Sequence, residues 1–70
     1  MTGTKDPIYN LLWFTENCLH NVLRLETYIE DARGHGDVEL ERFLTKAQAD
    51  SRKGAEEGKR LLRQRMTAGR

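Results

Sequence analysis

Two glutamates on one helical face are the residues of this chain best placed to bind a metal ion. Glu26 and Glu30 lie one turn apart, and Glu26 shares the angular position of Ile8 within an apolar face. A carboxylate in that position needs a polar partner, a proton or a cation, because burial of an unpaired charge is costly. We expect a pair with Lys46, Arg42 or a second copy of the chain. Escape to solvent and a shared metal ion are the alternatives.

A second set of candidate ligands follows the edge of the same face. Tyr9, Trp13, Glu16 and His20 occur at i, i+4, i+7 and i+11, which places them on one stripe of a helix. Glu16 and His20 could bind one metal ion, but a direct contact between the two side chains explains the same spacing. Tyr9 and Trp13 are typical of the half-buried rim of an interface.

The other reactive residue types fit structural roles. Cys18 falls on the apolar face, where we expect a small core residue rather than a nucleophile. His35 lies between two glycines in a predicted turn and should be solvated. Gly54 and Gly58 lie within a helical pattern, so they do not form a phosphate-binding loop. We therefore predict a protein that is not an enzyme and has no cofactor, unless the carboxylates bind a divalent metal or iron.

Helix signals divide the chain into two long helices and one turn. Asp6 and Pro7 are typical of an N-cap and a first helical position. Gly34 is the predicted C-cap, and Asp37 is placed to cap the second helix. The fold is therefore predicted to be all-α, a two-helix antiparallel hairpin. Its elements are a helix over residues 7–33, a turn over 34–37 and a helix over 38–66, in one domain of residues 1–70.

The first predicted helix carries more apolar surface than the second can cover, since its apolar residues span about half of its circumference. The chain has 70 residues and one cysteine, so no internal disulfide can support a small core. We predict a homodimer, or a multiple of dimers, built as a four-helix bundle; a different protein partner would satisfy the same face. The residues assigned to the interface are Tyr9, Leu12, Trp13, Phe14, Leu19, Leu23, Gly54 and Gly58.

The second predicted helix has a narrow seam whose middle is made of small residues. Spacings of four and three alternate along this seam, which consists of Leu40, Leu44, Ala47, Ser51, Gly54, Gly58, Leu61 and Arg65. A glycine inside a helix costs about 1 kcal/mol relative to alanine. Close packing against the first helix is the compensation we expect, and a ligand slot is the alternative.

Charge is unevenly distributed along the chain, although the net charge is only +1. Residues 1–51 carry 5 basic and 9 acidic side chains, and residues 52–70 carry 7 basic and 2 acidic ones. A solvated helix end whose charges complement the helix dipole explains this distribution. The alternatives are an anionic partner and two hairpins packed antiparallel, which would place each acidic turn beside a basic open end. Nucleic-acid binding through Arg60, Arg63 and Arg65 ranks last, because no aromatic residues lie among them.

The sequence lacks the marks of membrane insertion or export. No stretch approaches the roughly 20 apolar residues that span a bilayer, and the start of the chain lacks a signal-peptide pattern. We expect a cytoplasmic protein with no membrane contact.

The stretches 25–32, 36–37 and 39–44 resemble the helical hairpin of rubrerythrin-type, ferritin-like proteins. Those proteins share an inward Glu, a following Tyr, a Gly-Asp turn and an apolar pair that opens the next helix. Two-helix members of the family build a di-iron site between subunits. The family's second helix supplies Glu-x-x-His, but Asp50 and Lys53 occupy those places here, and only Glu26 has a counterpart among the family's ligands. The resemblance therefore implies the hairpin and the dimeric bundle more than iron chemistry.

These observations favour a small self-associating hairpin with a structural or partner-binding role. The alternative is a ferritin-like metal-binding protein whose carboxylate site forms across the dimer from Glu26 and Glu30, with Glu16 and His20 as further candidate ligands.

Overall fold

The computed structural model describes residues 6–68, which form two α-helices and one turn. Helix α1 covers Pro7–Gly34 and helix α2 covers Val38–Ala68. The helices run antiparallel, and the hairpin measures 52 × 25 × 13 Å. The predicted all-helical hairpin is therefore confirmed; a four-helix bundle would require a second copy of the chain.

Aspartate side chains cap the start of both helices, as the sequence predicts. Oδ1 of Asp6 accepts hydrogen bonds from the N–H groups of Ile8 and Tyr9, at 3.0 and 3.4 Å. Oδ1 of Asp37 accepts from the N–H of Leu40 at 3.1 Å. Each cap satisfies backbone donors that have no partner inside the helix.

The end of α1 differs from the prediction. Gly34 is still helical and the residue after it is the C-cap, so the assignment of Gly34 as the cap is wrong. The glycine that the turn requires is Gly36, whose φ is +72°. The N–H of Asp37 donates to the carbonyl of Ala32, and the N–H of Gly36 donates to that of Arg33, both at 3.0 Å. This pair of bonds is a Schellman motif, in which glycine adopts the left-handed conformation most easily.

The two helices meet along rows in which spacings of three and four alternate. Such rows are typical of antiparallel helices that pack as in a coiled coil. Leu25, Ile29 and Ala32 are the most buried apolar residues of α1, at 4–6 % exposure. The contact rows are Ile8, Leu11, Thr15, Cys18, Val22, Leu25, Ile29 and Ala32 in α1 and Glu41, Leu44, Gln48, Ser51, Ala55, Gly58 and Leu62 in α2.

The contact row of α2 is rotated from the predicted seam. Gln48 and Ala55, which the seam omitted, are 8 % and 1 % exposed, whereas Leu40 is 43 % exposed. Alanine at position 55 allows close approach of the helices, and Gln48 finds polar partners on α1. The rotation moves Leu40 and Gly54 to one edge of the contact.

A single hairpin has a thin core and an open shape. Its surface is 5676 Å², whereas a compact monomer of 8.1 kDa exposes about 4,500 Å². Its radius of gyration is 15.3 Å, against about 11 Å for a compact chain of this length. The hairpin thus exposes about 1,200 Å² more than a compact monomer of its mass.

Candidate interaction surface

Exposed apolar side chains cover three sides of α1 and both edges of α2. Within residues 6–68, eleven large hydrophobic residues are between 41 % and 71 % exposed. A projection at 100° per residue sorts them into three groups. These are a leucine flank (Leu12, Leu19, Leu23, Val38 and Met66), a glycine flank on the opposite side of the hairpin (Phe14, Tyr28, Leu40 and Phe43, beside Gly54), and the back of α1 (Tyr9 and Trp13).

The leucine flank is centred on α1. Leu12, Leu19 and Leu23 lie seven and four residues apart, about 100° around α1 from its contact row. They are 50 %, 41 % and 71 % exposed. Leucine has no polar atom that water can satisfy, and complete burial of such a side chain stabilises a protein by about 1.5–3 kcal/mol. This flank therefore gains most from a partner.

The structure corrects the predicted environment of Glu26. Glu26 is exposed and lies in the row of the leucine flank rather than in the middle of a buried face. Its Oε1 accepts a hydrogen bond from Nε2 of Gln48 at 2.8 Å. The partner is thus an amide of α2, not Lys46 or Arg42. The same Nε2 donates to the carbonyl of Val22 at 3.1 Å, so the buried amide links two turns of α1 to α2.

The predicted metal ligands do not come together within one hairpin. Nε2 of His20 lies 3.7 Å from a carboxylate oxygen of Glu16, and both side chains are 61 % exposed. This is the direct contact expected from their spacing. Glu30 is exposed. In the described part of the chain, no three His, Cys, Asp or Glu side chains are arranged to hold a metal ion.

Tyr9 and Trp13 form an aromatic pair on the back of α1. Their ring centroids are 6.0 Å apart at an interplanar angle of 70°, an edge-to-face arrangement. They are 44 % and 45 % exposed. Both rings carry a polar atom that tolerates contact with water, so this pair depends less on a partner than the leucines do.

The two predicted interface glycines lie where α1 packs on α2. A Cβ atom built on Gly58 would lie 3.1 Å from Cβ of Thr15 and overlap its Oγ1. A Cβ on Gly54 would lie 3.1 Å from Sγ of Cys18 and 3.5 Å from Cζ of Phe14. The expected close helix packing is therefore present. Gly58 is buried inside one hairpin and offers no surface to a second copy.

The centre of the glycine flank is polar. Nδ2 of Asn21 donates to Oγ of Ser51 at 2.8 Å, which ties the helices together near mid-length. An open groove around this bond is also lined by Asn17, His20 and Arg24. The sequence interpretation missed the cross-helix bonds of Asn21 and Gln48. The sequence does show a polar residue at a heptad position in each helix, but a search for apolar residues alone does not find it.

Opposite charges occupy the two halves of the hairpin. Residues 21–51, around the turn, hold 4 basic and 7 acidic side chains. Residues 6–20 and 52–68, at the open end, together hold 6 basic and 4 acidic side chains. The ion pairs between described residues are exposed or at the surface, such as Nε of Arg33 with Glu41 at 2.9 Å. Such pairs contribute about 0–1 kcal/mol each. These pairs therefore contribute little to the stability of the hairpin.

No protein family, curated protein or solved structure matches this chain. Neither helix, over the part that the structure describes, has an apolar stretch sufficient to cross a bilayer.

Proposed function

We propose that this protein is a small, non-catalytic hairpin that self-associates through its leucine flank into a homodimeric four-helix bundle with a structural or partner-binding role. The observation that carries the proposal is the row of three exposed leucines on α1. These side chains account for three of the eleven exposed large hydrophobic residues, and Leu23 is the most exposed of all at 71 %.

The surface area supports a second copy as the occupant. A standard stable interface buries about 800 Å² on each partner. The hairpin exposes about 1,200 Å² more than a compact monomer of its mass. A dimer interface of ordinary size therefore fits within this excess.

The leucine flank is preferred over the glycine flank because its α1 residues near the middle of the hairpin are apolar. On α1 the leucine flank has Leu19 and Leu23 there, so docking would bury apolar surface at the centre of the contact. The centre of the glycine flank holds the Asn21–Ser51 hydrogen bond. Interfaces are least charged and most apolar at their centres.

The test compares Leu23→Glu with Phe43→Glu by sedimentation equilibrium. Both side chains are well exposed in one hairpin, at 71 % and 65 %, so neither change removes a core contact. Loss of a buried leucine costs about 1.5–3 kcal/mol, which raises the dimer dissociation constant at least tenfold. Leu23→Glu should therefore become monomeric at concentrations where Phe43→Glu and the unmodified protein remain dimeric.

Two results would contradict the proposal. One is unmodified protein that stays monomeric at high micromolar concentration. The other is dissociation by Phe43→Glu but not by Leu23→Glu, which would move the interface to the glycine flank. Circular dichroism on both variants verifies that each remains helical.

A further inference from the structure

We infer that the two copies pack antiparallel, with α1 against α1 of the partner and a two-fold axis perpendicular to the helices near residue 20. This inference rests on the proposed self-association and adds its orientation. It follows from which helix carries the apolar residues of the leucine flank.

Symmetry links the orientation of the copies to the identity of the facing helices. When two hairpins dock flank to flank, a two-fold axis parallel to the helices sets α1 opposite α2 of the partner. An axis perpendicular to the helices sets α1 opposite α1. Only the second choice makes Leu19 and Leu23 of one copy face Leu19 and Leu23 of the other.

The row of α2 on the leucine flank shows why a parallel dimer, in which α1 faces α2 of the partner, is unfavourable. Between Val38 and Met66 the row of α2 on the leucine flank consists mainly of polar and charged residues. In a parallel dimer these residues would cover the leucines and lose water without gaining apolar contact. The row consists of Thr45, Ala49, Arg52, Glu56, Lys59 and Arg63, of which Ala49 alone is apolar.

The two apolar residues at the ends of that row support the same axis. Asn21 bonds to Ser51, so residue 20 of α1 is level with residue 52 of α2. Val38 and Met66 are 60 % and 62 % exposed and lie equally far in sequence from Arg52. Rotation about an axis at this level therefore brings Val38 of one copy level with Met66 of the other.

Four charges on the leucine flank lie level with opposite charges about the same axis, whereas Arg52 lies level with the axis and with the same arginine of the other copy. The rotation places Glu26 and Glu30 of one copy level with Lys59 and Arg63 of the other. Within residues 6–68 of one hairpin, the side chains of Glu30 and Arg63 have no ion-pair partner. A parallel dimer would instead set the acidic halves of the two copies at the same level.

Spin labels at the turn distinguish the two orientations. The label is attached at His35→Cys, an exposed position, in a Cys18→Ala background, and the distance between the two labels of a dimer is measured by double electron–electron resonance. Position 35 is 15 residues from the axis, so two labels lie about 45 Å apart in the antiparallel dimer at ~1.5 Å per residue. In a parallel dimer both turns lie at one end, about 15–25 Å apart, given helix spacings of ~10 Å.

A second label separates failure of the orientation from failure of the dimer. His20→Cys lies level with the axis, so its labels should be about 20–30 Å apart in either orientation. A short distance at position 20 with a distance near 45 Å at position 35 supports the inference. Short distances at both positions would overturn the orientation and leave self-association standing. Absence of dipolar coupling at both positions would overturn self-association and the orientation together.

Discussion

The contact between Gly58 and Thr15 yields the sharpest prediction for the hairpin itself. Gly58 is buried at the closest approach of the helices, and Thr15 is 4 % exposed. A methyl group at position 58 would overlap Oγ1 of Thr15 and lie 3.1 Å from its Cβ. That Oγ1 also donates to the carbonyl of Leu11 at 2.8 Å, so Thr15 cannot change rotamer without loss of this bond. Gly58→Ala therefore tests whether the glycine is needed for packing.

Two opposing terms determine the size of the effect. Alanine is favoured over glycine inside a helix by about 1 kcal/mol. Overpacking of a close contact costs about 1–3 kcal/mol. We expect the steric term to exceed the propensity term, because the overlapped atoms belong to a β-branched side chain near the backbone and not to a flexible tip. The expected net loss is about 1 kcal/mol, or about 4–8 °C in Tm for a domain of this size.

A double-mutant cycle isolates the contact. Thr15→Ala removes the overlapped atoms, so the new methyl group of Gly58→Ala would occupy the vacated space. We expect the double variant to be more stable than Gly58→Ala alone, with a coupling of about 1–2 kcal/mol. Gly34→Ala is the matched control, because a Cβ atom there meets nothing within 4 Å. It should stabilise the protein by up to about 1 kcal/mol.

The assay is thermal unfolding followed by circular dichroism at one fixed protein concentration, since self-association stabilises the folded state by mass action. If Gly58→Ala raises Tm as much as Gly34→Ala does, the close contact at Gly58 carries no energetic weight. Additive effects in the cycle would likewise contradict the assigned steric cause.

The remaining predictions concern the turn, the buried amide, the charges and metal. Gly36→Ala should cost about 1–2 kcal/mol in the same melting assay, because φ is +72° there. Gln48→Glu should lower the free energy of unfolding, measured in urea, by about 2–3 kcal/mol, because it removes the donor to Glu26 and Val22 and places two carboxylates together. Gln48→Leu removes the same donor without adding a charge and should cost under about 1 kcal/mol. Added salt should weaken the dimer several-fold in sedimentation, and strengthening by salt would indicate that like charges face each other. If leucine contacts hold the dimer as proposed, a chelator should leave it unchanged in native mass spectrometry. Retained metal ions would favour the carboxylate hypothesis.

Features that depend on neighbouring residues could be predicted from the sequence. Asp6 and Asp37 act through backbone groups two or three residues away, so their caps follow from residue type and position alone. The same reasoning predicts the position of the turn but assigns the end of α1 to Gly34 instead of to the residues that follow it. A Schellman motif needs its left-handed residue after the C-cap, and the spacing from Gly34 to Gly36 allows either choice until the hydrogen bonds are known.

The side of α2 that faces α1 could not be predicted by counting apolar residues. The predicted seam and the observed row share Leu44, Ser51 and Gly58. A small rotation of α2 about its axis is therefore enough to change one row into the other. Gln48 enters the contact because its amide bonds to Glu26 and to a backbone carbonyl. These bonds depend on tertiary position, and a buried amide is tolerated only where such partners exist.

Glu26 shows the same limit for the candidate site. The apolar face of α1 looked like one broad face, but it consists of a contact row and a separate leucine row. Glu26 belongs to the second row, so it meets solvent and Gln48 in one hairpin. Its partner in an assembly depends on the docked copy, which the sequence of one chain does not specify.

The distribution of exposed side chains implies an order in which surfaces of α1 are covered. Leucines lose most by contact with water, so the leucine flank should be covered first and should set the dimer. Tyr9 and Trp13 remain on the back of α1 and keep their polar atoms hydrated, which suits a surface that is covered weakly or only in part. Phe14 lies at 53 % exposure on the other side of α1. A dimer formed through the leucine flank thus leaves apolar surface on the outside of each α1, and these are the surfaces through which dimers would join into a larger assembly.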